Sequence, residues 1–435
     1  MTTENYDGYI DWISSDKTKA KYVANFVPPT EPYVVSISCQ SCGHAPLKEV
    51  IDLGYMPAVN AMHKIGEPVA EEPFFPTIMS VCEKCELVQL GGPPPDNNKV
   101  FPPDYPYTTT SSKPLIENFY RLVQEVSKLK PGKLSVCDIG SNDGTLLQAF
   151  KNLGHEVLGI EPTDIADMAA ANGIPTWKAF FQESVADDVL LRYGKFDVVT
   201  CANCFAHMPN VNDIIKAIKT ILKTDGIFVS ESHYLFDLLR DVQYDTIYHE
   251  HLRFYSVRSL QALFHRHGLF INSVKKIPTH GGSIRVYASA NHTLNSDLPD
   301  EPTGNELDKC LREFEQRVLW SRWDFWDKLT DHVAVSKTDM IVGVGAPSRG
   351  AILINYLGLS HNDLTYVAER EGSLKIGRHI PGTRIPVVTE SKLDMSEIDY
   401  ALILSWHMAD AIMQNWRGKG YKGKFIIPLP LPRIV

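Results

Sequence analysis

The stretch Asp138-Ile-Gly-Ser-Asn-Asp-Gly144 lies between an apolar segment typical of a β-strand and a segment with the apolar spacing of a helix. Strand-like and helix-like segments alternate after it, and residues 113–129 before it also carry apolar side chains at helical spacing. This alternation predicts an α/β fold built on a doubly wound parallel sheet. The predicted strands are residues 134–139, 157–160, 196–201 and 226–230, and a predicted helix spans residues 214–222.

The glycines of this stretch indicate a bound cofactor, because they let the backbone approach a ligand at a helix start with unpaired amides. Glu161 ends the next predicted strand, where a carboxylate typically accepts hydrogen bonds from the hydroxyls of an adenosine ribose. The alternative, a nicotinamide cofactor, has the fingerprint Gly-x-Gly-x-x-Gly, whereas the spacing here is Gly140-x-x-x-Gly144. The motif therefore favours S-adenosylmethionine. The predicted cofactor-binding residues are Asp138, Gly140, Ser141, Asn142, Asp143, Gly144, Glu161 and Asn203.

Two Cys-x-x-Cys pairs near the N-terminus hold four of the eight cysteines. Four thiolates close a tetrahedral shell around Zn²⁺ and leave no position for a reactive water, so the pairs predict a structural zinc site. The alternative is a set of buried free cysteines. Glu83 and Glu86, in and beside the second pair, argue against a zinc ribbon that binds nucleic acid. The predicted zinc ligands are Cys39, Cys42, Cys82 and Cys85.

A second alternating block begins at residue 340 and predicts a smaller α/β domain of Rossmann-like type. Its predicted elements are strands at residues 340–345, 365–368 and 400–404 and a helix at residues 350–357. The run Gly91-Gly-Pro-Pro-Pro95 predicts a connector between the zinc site and the first sheet. The predicted domains are an N-terminal extension at 1–36, a zinc-binding domain at 37–100, a methyltransferase domain at 101–300 and a C-terminal α/β domain at 301–435.

Composition narrows the class of protein further. The 435 residues carry a net charge of −9, which argues against a nucleic-acid-binding protein with a basic face. No apolar run reaches the ~18–20 residues that span a bilayer. The first 19 residues are polar and contain no apolar stretch of the signal-peptide kind. We therefore expect a cytoplasmic protein without a membrane partner.

Three further segments carry groups suited to chemistry: Asn203-Cys-Phe-Ala-His207, Tyr248-His-Glu-His251 and His280-Gly-Gly-Ser-Ile-Arg285. The first ends a predicted strand, and ligands of doubly wound sheets bind at the carboxyl ends of strands. The third combines a glycine loop, the hydroxyl of Ser283 and the guanidinium of Arg285, which suit phosphate or carboxyl oxygens.

The segment Tyr248-His-Glu-His251 has two functional interpretations. In an extended segment His249 and His251 share one face and could bind a metal. Alternatively a histidine acts as a general base oriented by a carboxylate, while a tyrosine stabilises an oxyanion. A polar surface turn without catalytic function is the third alternative.

The chain resembles the nucleotide-sugar C-methyltransferases of deoxysugar biosynthesis, which methylate 4-ketosugars. The resemblance extends from about residue 37 to 430 and includes both cysteine pairs and the Ser141-Asn-Asp-Gly144 motif. One difference is Arg349, where the family commonly has lysine. The further matching motifs are Pro57-Ala-Val-Asn60, Val88-Gln-Leu90, Asp104-Tyr-Pro-Tyr107, Asn203-x-x-x-His207, Tyr248-His-Glu-His251, His280-Gly-Gly-Ser-Ile-Arg285 and Lys375-x-Gly377 with Pro381-Gly-Thr-x-Ile-Pro386.

The resemblance implies a mechanism and a partner. A base removes the proton on carbon 3 of a nucleotide-diphosphate 4-ketosugar, and the resulting enolate attacks the methyl group of the cofactor. His251 matches the family's base, Glu250 orients it, and Tyr248, His207 and Tyr105 surround the sugar and the enolate oxygen. The C-terminal domain contributes to binding of the nucleotide sugar, and the protein is a monomer or a homodimer. The predicted substrate-binding residues are Tyr107, His249, Ser283, Arg285 and Lys375.

Two other functions compete with carbon methylation. A zinc-ribbon methyltransferase of RNA, protein or a small metabolite is one, but it calls for a long basic face that the sequence lacks. A non-catalytic ketosugar-binding relative is the other. The presence of Tyr248, Glu250 and His251 argues against it.

Overall fold

The computed structural model describes residues 38–67, 72–92, 95–291, 298–333 and 339–435. All of them belong to one unit, Ile37–Val435. The predicted N-terminal extension lies outside the described residues, as do two prolines of the predicted connector, Pro93 and Pro94.

The strands and helices follow the predicted alternation closely. The strands are β1 (Lys48–Pro57), β2 (Phe74–Val81), β3 (Val88–Leu90), β4 (Ser135–Ile139), β5 (Glu156–Ile160), β6 (Thr176–Trp177), β7 (Phe196–Ala202), β8 (Leu222–His233), β9 (Arg253–Phe254), β10 (Phe270–Ile277), β11 (Ser283–Ser289), β12 (Ile341–Val344), β13 (Val367–Glu369), β14 (Val387–Thr389), β15 (Tyr400–Ile403), β16 (Lys424–Ile427) and β17 (Arg433–Ile434). The helices are α1 (Asn97–Val100), α2 (Lys113–Leu129), α3 (Thr145–Asn152), α4 (Ile165–Ala171), α5 (Glu183–Tyr193), α6 (Val211–Ile221), α7 (Leu235–Arg240), α8 (Val257–Arg266), α9 (Asn305–Val333), α10 (Ser348–Leu357) and α11 (Ala409–Gly418).

The central sheet has seven strands in the order β10-β11-β8-β7-β4-β5-β6. Strands β4 to β8 are parallel, which confirms the Rossmann-like fold. The sheet continues beyond the predicted strands, and there β11 runs antiparallel to both β8 and β10. The short turn Thr279–Gly281 joins β10 to β11, and a turn of this length reverses the chain, whereas a parallel neighbour needs a long crossover.

A second sheet of six strands forms the C-terminal part, in the order β14-β13-β12-β15-β16-β17. Its strands are parallel except β17, which confirms the predicted second Rossmann-like element. Helix α9 lies between this sheet and the N-terminal part, since its buried side chains Leu311, Phe314 and Phe325 share one apolar core with β1 and with β12. The C-terminal sheet is therefore packed against the rest of the described chain.

The zinc-binding region contains a four-stranded antiparallel sheet of order β1-β2-β3-β9. Its fourth strand comes from a distant part of the sequence: Arg253 pairs with Gln89, and Phe254 pairs with Val88. Backbone hydrogen bonds thus fasten the segment that follows His251 to the zinc-binding region.

A buried ion-pair network fixes helix α2 on the central sheet. Arg285 of β11 pairs directly with Glu231 of β8, and its Nε donates to Glu231 Oε1 at 2.6 Å. Its Nη1 donates to Glu125 Oε2 of α2 at 2.7 Å, and its Nη2 donates to Asn118 Oδ1 at 2.8 Å. The side chains of Arg285 and Glu231 are 1% and 0% exposed, so neither charge has water as an alternative partner.

We expect R285M to lower the free energy of unfolding by ~3–5 kcal/mol, because it leaves the buried carboxylate of Glu231 without its cation. Urea unfolding followed by circular dichroism measures this. The matched control is R312M, which removes an exposed arginine from a surface pair with Asp308 and should cost less than ~1 kcal/mol. Equal stability of the two variants would show that the network is dispensable.

Candidate active site

A cavity of about 1430 Å³ opens at the carboxyl ends of the parallel strands of both large sheets. Its wall combines the ends of β4, β5, β7 and β8 with the loops that follow β12, β13 and β15. The cavity brings together most of the residues that the sequence singled out. Those that line it are Tyr105, Tyr107, Asp138, Gly140, Ser141, Asn142, Glu161, Asn203, His207, Tyr248, Glu250, His251 and Lys375.

The turn after β4 approaches β5 closely and requires glycine. Gly140 has φ +71°, and a Cβ on it would lie 2.7 Å from Cys204 Sγ. Its amide donates to the Ile160 carbonyl at 2.8 Å, which fixes the turn at the end of the next strand. Asn142, also at positive φ, donates its amide to Glu161 Oε2 at 3.0 Å.

The carboxylate of Glu161 faces the cavity with both oxygens already oriented. Besides the Asn142 amide on Oε2, Oε1 accepts from the Thr163 amide at 3.0 Å and from its hydroxyl at 2.7 Å. Burial raises the pKa of this carboxyl above its usual value, while these donors oppose the shift. Such an acceptor suits the vicinal hydroxyls of an adenosine ribose.

Two polar atoms beside the turn have no partner among the described residues. They are Ser141 Oγ and Asn203 Nδ2, both buried. Buried polar atoms are almost always hydrogen-bonded, so unpaired ones on a cavity wall indicate a polar ligand. With the Gly140 turn and Glu161, they fit S-adenosylmethionine.

Two of the predicted cofactor residues support the cavity wall from behind. Asp143 does not line the cavity; its Oδ2 accepts from the Thr110 amide at 2.8 Å and from the Thr110 hydroxyl at 3.0 Å. Gly144 has φ +78° and precedes helix α3. Asp143 therefore fastens the loop that carries Tyr105 and Tyr107 to the cofactor turn.

Asp138 is the last but one residue of β4 and belongs to the cavity wall. Thr200 Oγ1 donates to its Oδ1 at 2.6 Å. Burial raises the pKa of Asp138 to about 7, and the charges of Glu161 and Glu231 act in the same direction.

His251 has the tautomer that a general base requires. Its Nδ1 lies 2.6 Å from the Thr246 carbonyl oxygen, which can only accept, so Nδ1 carries the proton. The neutral ring then leaves Nε2 as a free lone pair. Burial lowers the pKa of His251 to about 4, and the charges of Arg349 and His280 act in the same direction. The imidazole is therefore neutral at physiological pH.

The structure does not support the predicted role of Glu250 in orienting His251. No hydrogen bond joins Glu250 to His251 in the described chain, because Asn60 Nδ2 donates to Glu250 Oε1 and the acceptor for His251 is the Thr246 carbonyl. Burial raises the pKa of Glu250 to about 7, while Asn60, Lys375 and Tyr105 oppose the shift. Glu250 thus links Asn60 of the zinc-binding region to the cavity wall.

One phenol, that of Tyr248, lies beside His251, and a second, that of Tyr105, belongs to the same cavity wall. The ring centroid of Tyr248 is 4.2 Å from that of His251. Burial and the charge of Glu250 raise the pKa of Tyr248 and of Tyr105 well above the usual value, so both keep their protons as hydrogen-bond donors. Burial likewise raises the pKa of Tyr107 to about 12.

Three further histidines surround His251. The rings of His207 and His233 lie 5.0 Å and 4.8 Å from its centroid, and His280 lies 5.7 Å from His233. Burial lowers the pKa of all three, so this part of the cavity carries neutral imidazoles. A neutral environment keeps His251 unprotonated.

His249 points to the opposite side of its segment. Its Nε2 lies 3.3 Å from Thr77 Oγ1 and 3.2 Å from the Pro76 carbonyl oxygen, on the zinc-binding sheet. The interpretation of His249 and His251 as joint metal ligands is wrong, because the segment is a turn closed by the His251 amide on the Tyr248 carbonyl at 2.8 Å. The four cysteines form the one candidate metal cluster in the described ranges.

His249, Ser283 and Arg285, predicted to bind substrate, do not line the cavity. Ser283 is fully buried and donates to the Thr279 carbonyl at 3.0 Å, while Arg285 is held by Glu231 and helix α2. Lys375 does line it, and its Nζ donates to the Ala346 carbonyl at 2.7 Å.

The cavity also contains residues that sequence reasoning missed. They are His233 at the end of β8, Arg349 at the start of α10 and Glu369 at the end of β13. Glu369 could have been found from its position in the sequence. It ends the strand that follows Gly345, and Glu161 directly follows the strand after Gly140.

The four predicted zinc ligands lie together. Their Sγ atoms are all within 4.8 Å of one another, with Cys39–Cys85 at 3.4 Å and Cys42–Cys82 at 3.6 Å. A tetrahedral shell with Zn–S of ~2.3 Å has S···S edges of ~3.8 Å, so the sulfurs fit Zn²⁺. Each pair is followed by a tight turn with a positive-φ residue, Gly43 or Glu86.

Three family models match successive parts of the chain: a zinc binding domain over residues 39–97, a methyltransferase domain over 114–274 and a C-methyltransferase C-terminal domain over 278–430. The C-methyltransferase NovU of Streptomyces niveus is 31% identical over 415 residues, which cover 91% of this chain and 96% of NovU. The chain belongs to the C-methyltransferase family.

This C-methyltransferase also has more distant relatives. A ubiquinone biosynthesis O-methyltransferase of Haemophilus ducreyi is 34% identical over 102 residues, which cover 21% of this chain and 42% of that protein. The crystal structure of magnesium protoporphyrin IX methyltransferase from Synechocystis, with bound S-adenosylmethionine, is 15% identical; the match covers 40% of this chain and 78% of that chain with a TM-score of 0.30.

The C-methyltransferase uses S-adenosylmethionine as its cofactor and has a zinc-binding domain with a four-cysteine site. Among the described helices, none combines the length and the apolar character needed to cross a bilayer.

We expect E161Q to weaken S-adenosylmethionine binding by ~10- to 100-fold, because the ribose hydroxyls lose hydrogen bonds to a charged acceptor. For the wild type, affinity should fall as pH drops through the raised pKa of Glu161, since the carboxyl then becomes a weaker acceptor. Calorimetry between pH 8 and 5 measures both effects. The matched control is E156Q on the same strand, where Glu156 is exposed and pairs with Lys133; an equal loss in both variants would contradict the assignment.

We expect one zinc ion per chain, lost in C82S together with thermal stability, because three thiolates cannot close the shell. Metal analysis and thermal unfolding measure this. C310S is the control, since Cys310 lies on α9 outside the cluster. Full zinc content in C82S would show that the four cysteines are not the ligands.

Proposed function

We propose that this enzyme methylates a carbon next to a ketone in a nucleotide-linked sugar, with a 4-ketosugar methylated at carbon 3 and His251 as the base. The observation that carries the proposal is the hydrogen bond from His251 Nδ1 to the Thr246 carbonyl at 2.6 Å. It holds a neutral imidazole with a free Nε2 in a cavity that also contains the cofactor turn. Carbon methylation needs such a base, because a C–H proton must leave before the carbon becomes nucleophilic.

The proposed step is an enolisation. His251 Nε2 takes the proton from carbon 3, the electrons of the C–H bond form the carbon–carbon double bond, and the ketone oxygen becomes anionic. Tyr248 and Tyr105 are protonated donors beside this site, and donors aimed at developing negative charge lower the barrier. Bound S-adenosylmethionine supplies the methyl group as an electrophile. His207 and Tyr107 complete the wall around the sugar.

The C-terminal part of the cavity supports binding of a second nucleoside. Its turn repeats the geometry of the cofactor turn: Gly345 has φ +77°, and its amide donates to the Ala368 carbonyl at 2.8 Å. The Ala346 amide donates to Glu369 Oε2 at 2.7 Å, as Asn142 does to Glu161. We therefore assign the ribose of the substrate nucleotide to Glu369 and nucleotide binding to the predicted domain at residues 301–435.

Cationic groups of the same part suit a diphosphate. Ser348 and Arg349 form the first turn of helix α10, where unpaired amides and the helix dipole favour anions. Lys375 is buried in the wall nearby, close enough to Glu250 and Glu369 for both charges to affect its pKa. The sugar would then extend from this diphosphate site towards His251.

We expect H251N to lower methyl transfer to a nucleotide 4-ketosugar by ~10²–10⁴-fold, the usual contribution of a general base, while S-adenosylmethionine affinity stays unchanged. Deuterium exchange from solvent at carbon 3, with S-adenosylhomocysteine bound, should stop as well. Mass spectrometry of product and substrate measures both.

The matched control is H249N, because His249 lies in the same turn but faces the zinc-binding sheet. It should retain transfer and exchange in proportion to its folded fraction. If H251N still exchanges deuterium at the wild-type rate, His251 is not the base.

A further inference from the structure

One ion pair connects the C-terminal sheet to the turn that carries the base. Arg349 Nε donates to Asp245 Oδ2 at 2.8 Å, and Arg349 Nη2 donates to Asp245 Oδ1 at 2.7 Å. Trp406 Nε1 donates to Asp245 Oδ2 at 2.8 Å, and its ring lies 5.0 Å from the guanidinium carbon. Asp245 is 0% exposed, so its charge depends wholly on these partners.

Asp245 is the residue before Thr246, whose carbonyl holds His251 Nδ1. Both belong to the turn Tyr244–Thr246, which the Thr246 amide closes on the Gln243 carbonyl at 3.0 Å. A shift of the Asp245 side chain would therefore move the peptide that follows it. The position of the acceptor for His251 depends on the ion pair with Arg349.

Arg349 lines the cavity, and its guanidinium has one nitrogen that the contacts with Asp245 do not use. Nε and Nη2 are used by Asp245, while Nη1 makes no hydrogen bond to any described residue, and Arg349 lines the cavity. Arg349 also lies in the first turn of α10, the position proposed above for the diphosphate. A guanidinium has separate donor edges and can bind two anions at once.

We propose that Arg349 is a positioning residue for methyl transfer: one edge of its guanidinium holds Asp245, and through the Thr246 carbonyl it sets the tautomer and orientation of His251. Its other edge binds the diphosphate of the substrate. The side chain of Arg349 then contacts the nucleotide part of the substrate and also holds the turn that orients His251. This inference rests on the proposed function, in which His251 is the base and the substrate carries a diphosphate; the contact of the first edge with Asp245 is present without the sugar.

The first test uses R349K, which keeps the positive charge but cannot bind both Asp245 oxygens in the same fork. Histidine side chains labelled with ¹⁵N report which ring nitrogen carries the proton, and H251N identifies the His251 signals. In wild-type enzyme with S-adenosylhomocysteine, we expect His251 protonated at Nδ1 alone; in R349K, we expect a mixture of tautomers.

The second test is steady-state kinetics. A misplaced base should lower kcat of R349K by ~10- to 100-fold, while KM for S-adenosylmethionine stays within about twofold. The matched control is R240K, because Arg240 makes a similar two-bond pair with Asp241 but is 63% exposed and does not line the cavity. D245N provides an independent change to the same pair and should also produce mixed tautomers.

The outcomes distinguish a positioning role of Arg349 from a role in substrate binding alone. A wild-type tautomer in both R349K and D245N overturns the positioning role, even if kcat falls, because Arg349 would then act on the substrate alone. A kcat loss equal to that of R240K overturns it as well. The tautomer measurement contains no sugar, so failure of every ketosugar as a substrate would refute the proposed function and leave this result standing.

Discussion

The pairing of strand β9 with β3 is the constraint on which the active site depends. Leu90 donates its amide to the Leu252 carbonyl at 2.9 Å, directly after His251. Arg253, 2% exposed, donates to Gln40 Oε1 in the first zinc knuckle at 2.7 Å and to the carbonyls of Phe205 and Met208. The zinc-binding sheet therefore fixes the segment that follows His251 and the loop that carries His207. A closed shell of four thiolates has no open position for chemistry, and its contribution here is to hold this sheet in place.

Burial explains why so many titratable groups can lie around His251 without carrying charge. Charged forms are disfavoured where side chains have little contact with water, so the pKa of His207, His233 and His280 falls and the pKa of Tyr105 and Tyr248 rises. The groups are then neutral bases and neutral donors at pH 7. The same low polarity strengthens each hydrogen bond to an anionic oxygen, which is the electrostatic condition for forming an enolate.

Sequence reasoning succeeded where one local rule decides the position of a residue. The carboxyl ends of parallel strands share an edge of the sheet, so Glu161, Asn203 and His207 were found from strand boundaries alone. It failed at Arg285, because a glycine loop with a hydroxyl and a guanidinium indicates anion binding but does not reveal that Glu231 and helix α2 already hold the guanidinium. It also missed the partner of His251, because the acceptor is a backbone carbonyl, and a carbonyl has no signature in the sequence.

The two Rossmann-like sheets present the same turn and carboxylate to one cavity, Gly140 with Glu161 and Gly345 with Glu369. Two nucleosides bound in this way would direct their reactive ends towards the space between the sheets. The segment from Asp245 to Arg253 occupies that space and is held by contacts from every side: Arg349 from the C-terminal sheet, the Ala206 carbonyl from the central sheet, and β3 from the zinc-binding sheet. Under the proposed function, a base held by all three parts is in register with both ligands only when the three are packed together. This would account for the two further folded regions that the C-methyltransferase carries around its cofactor domain.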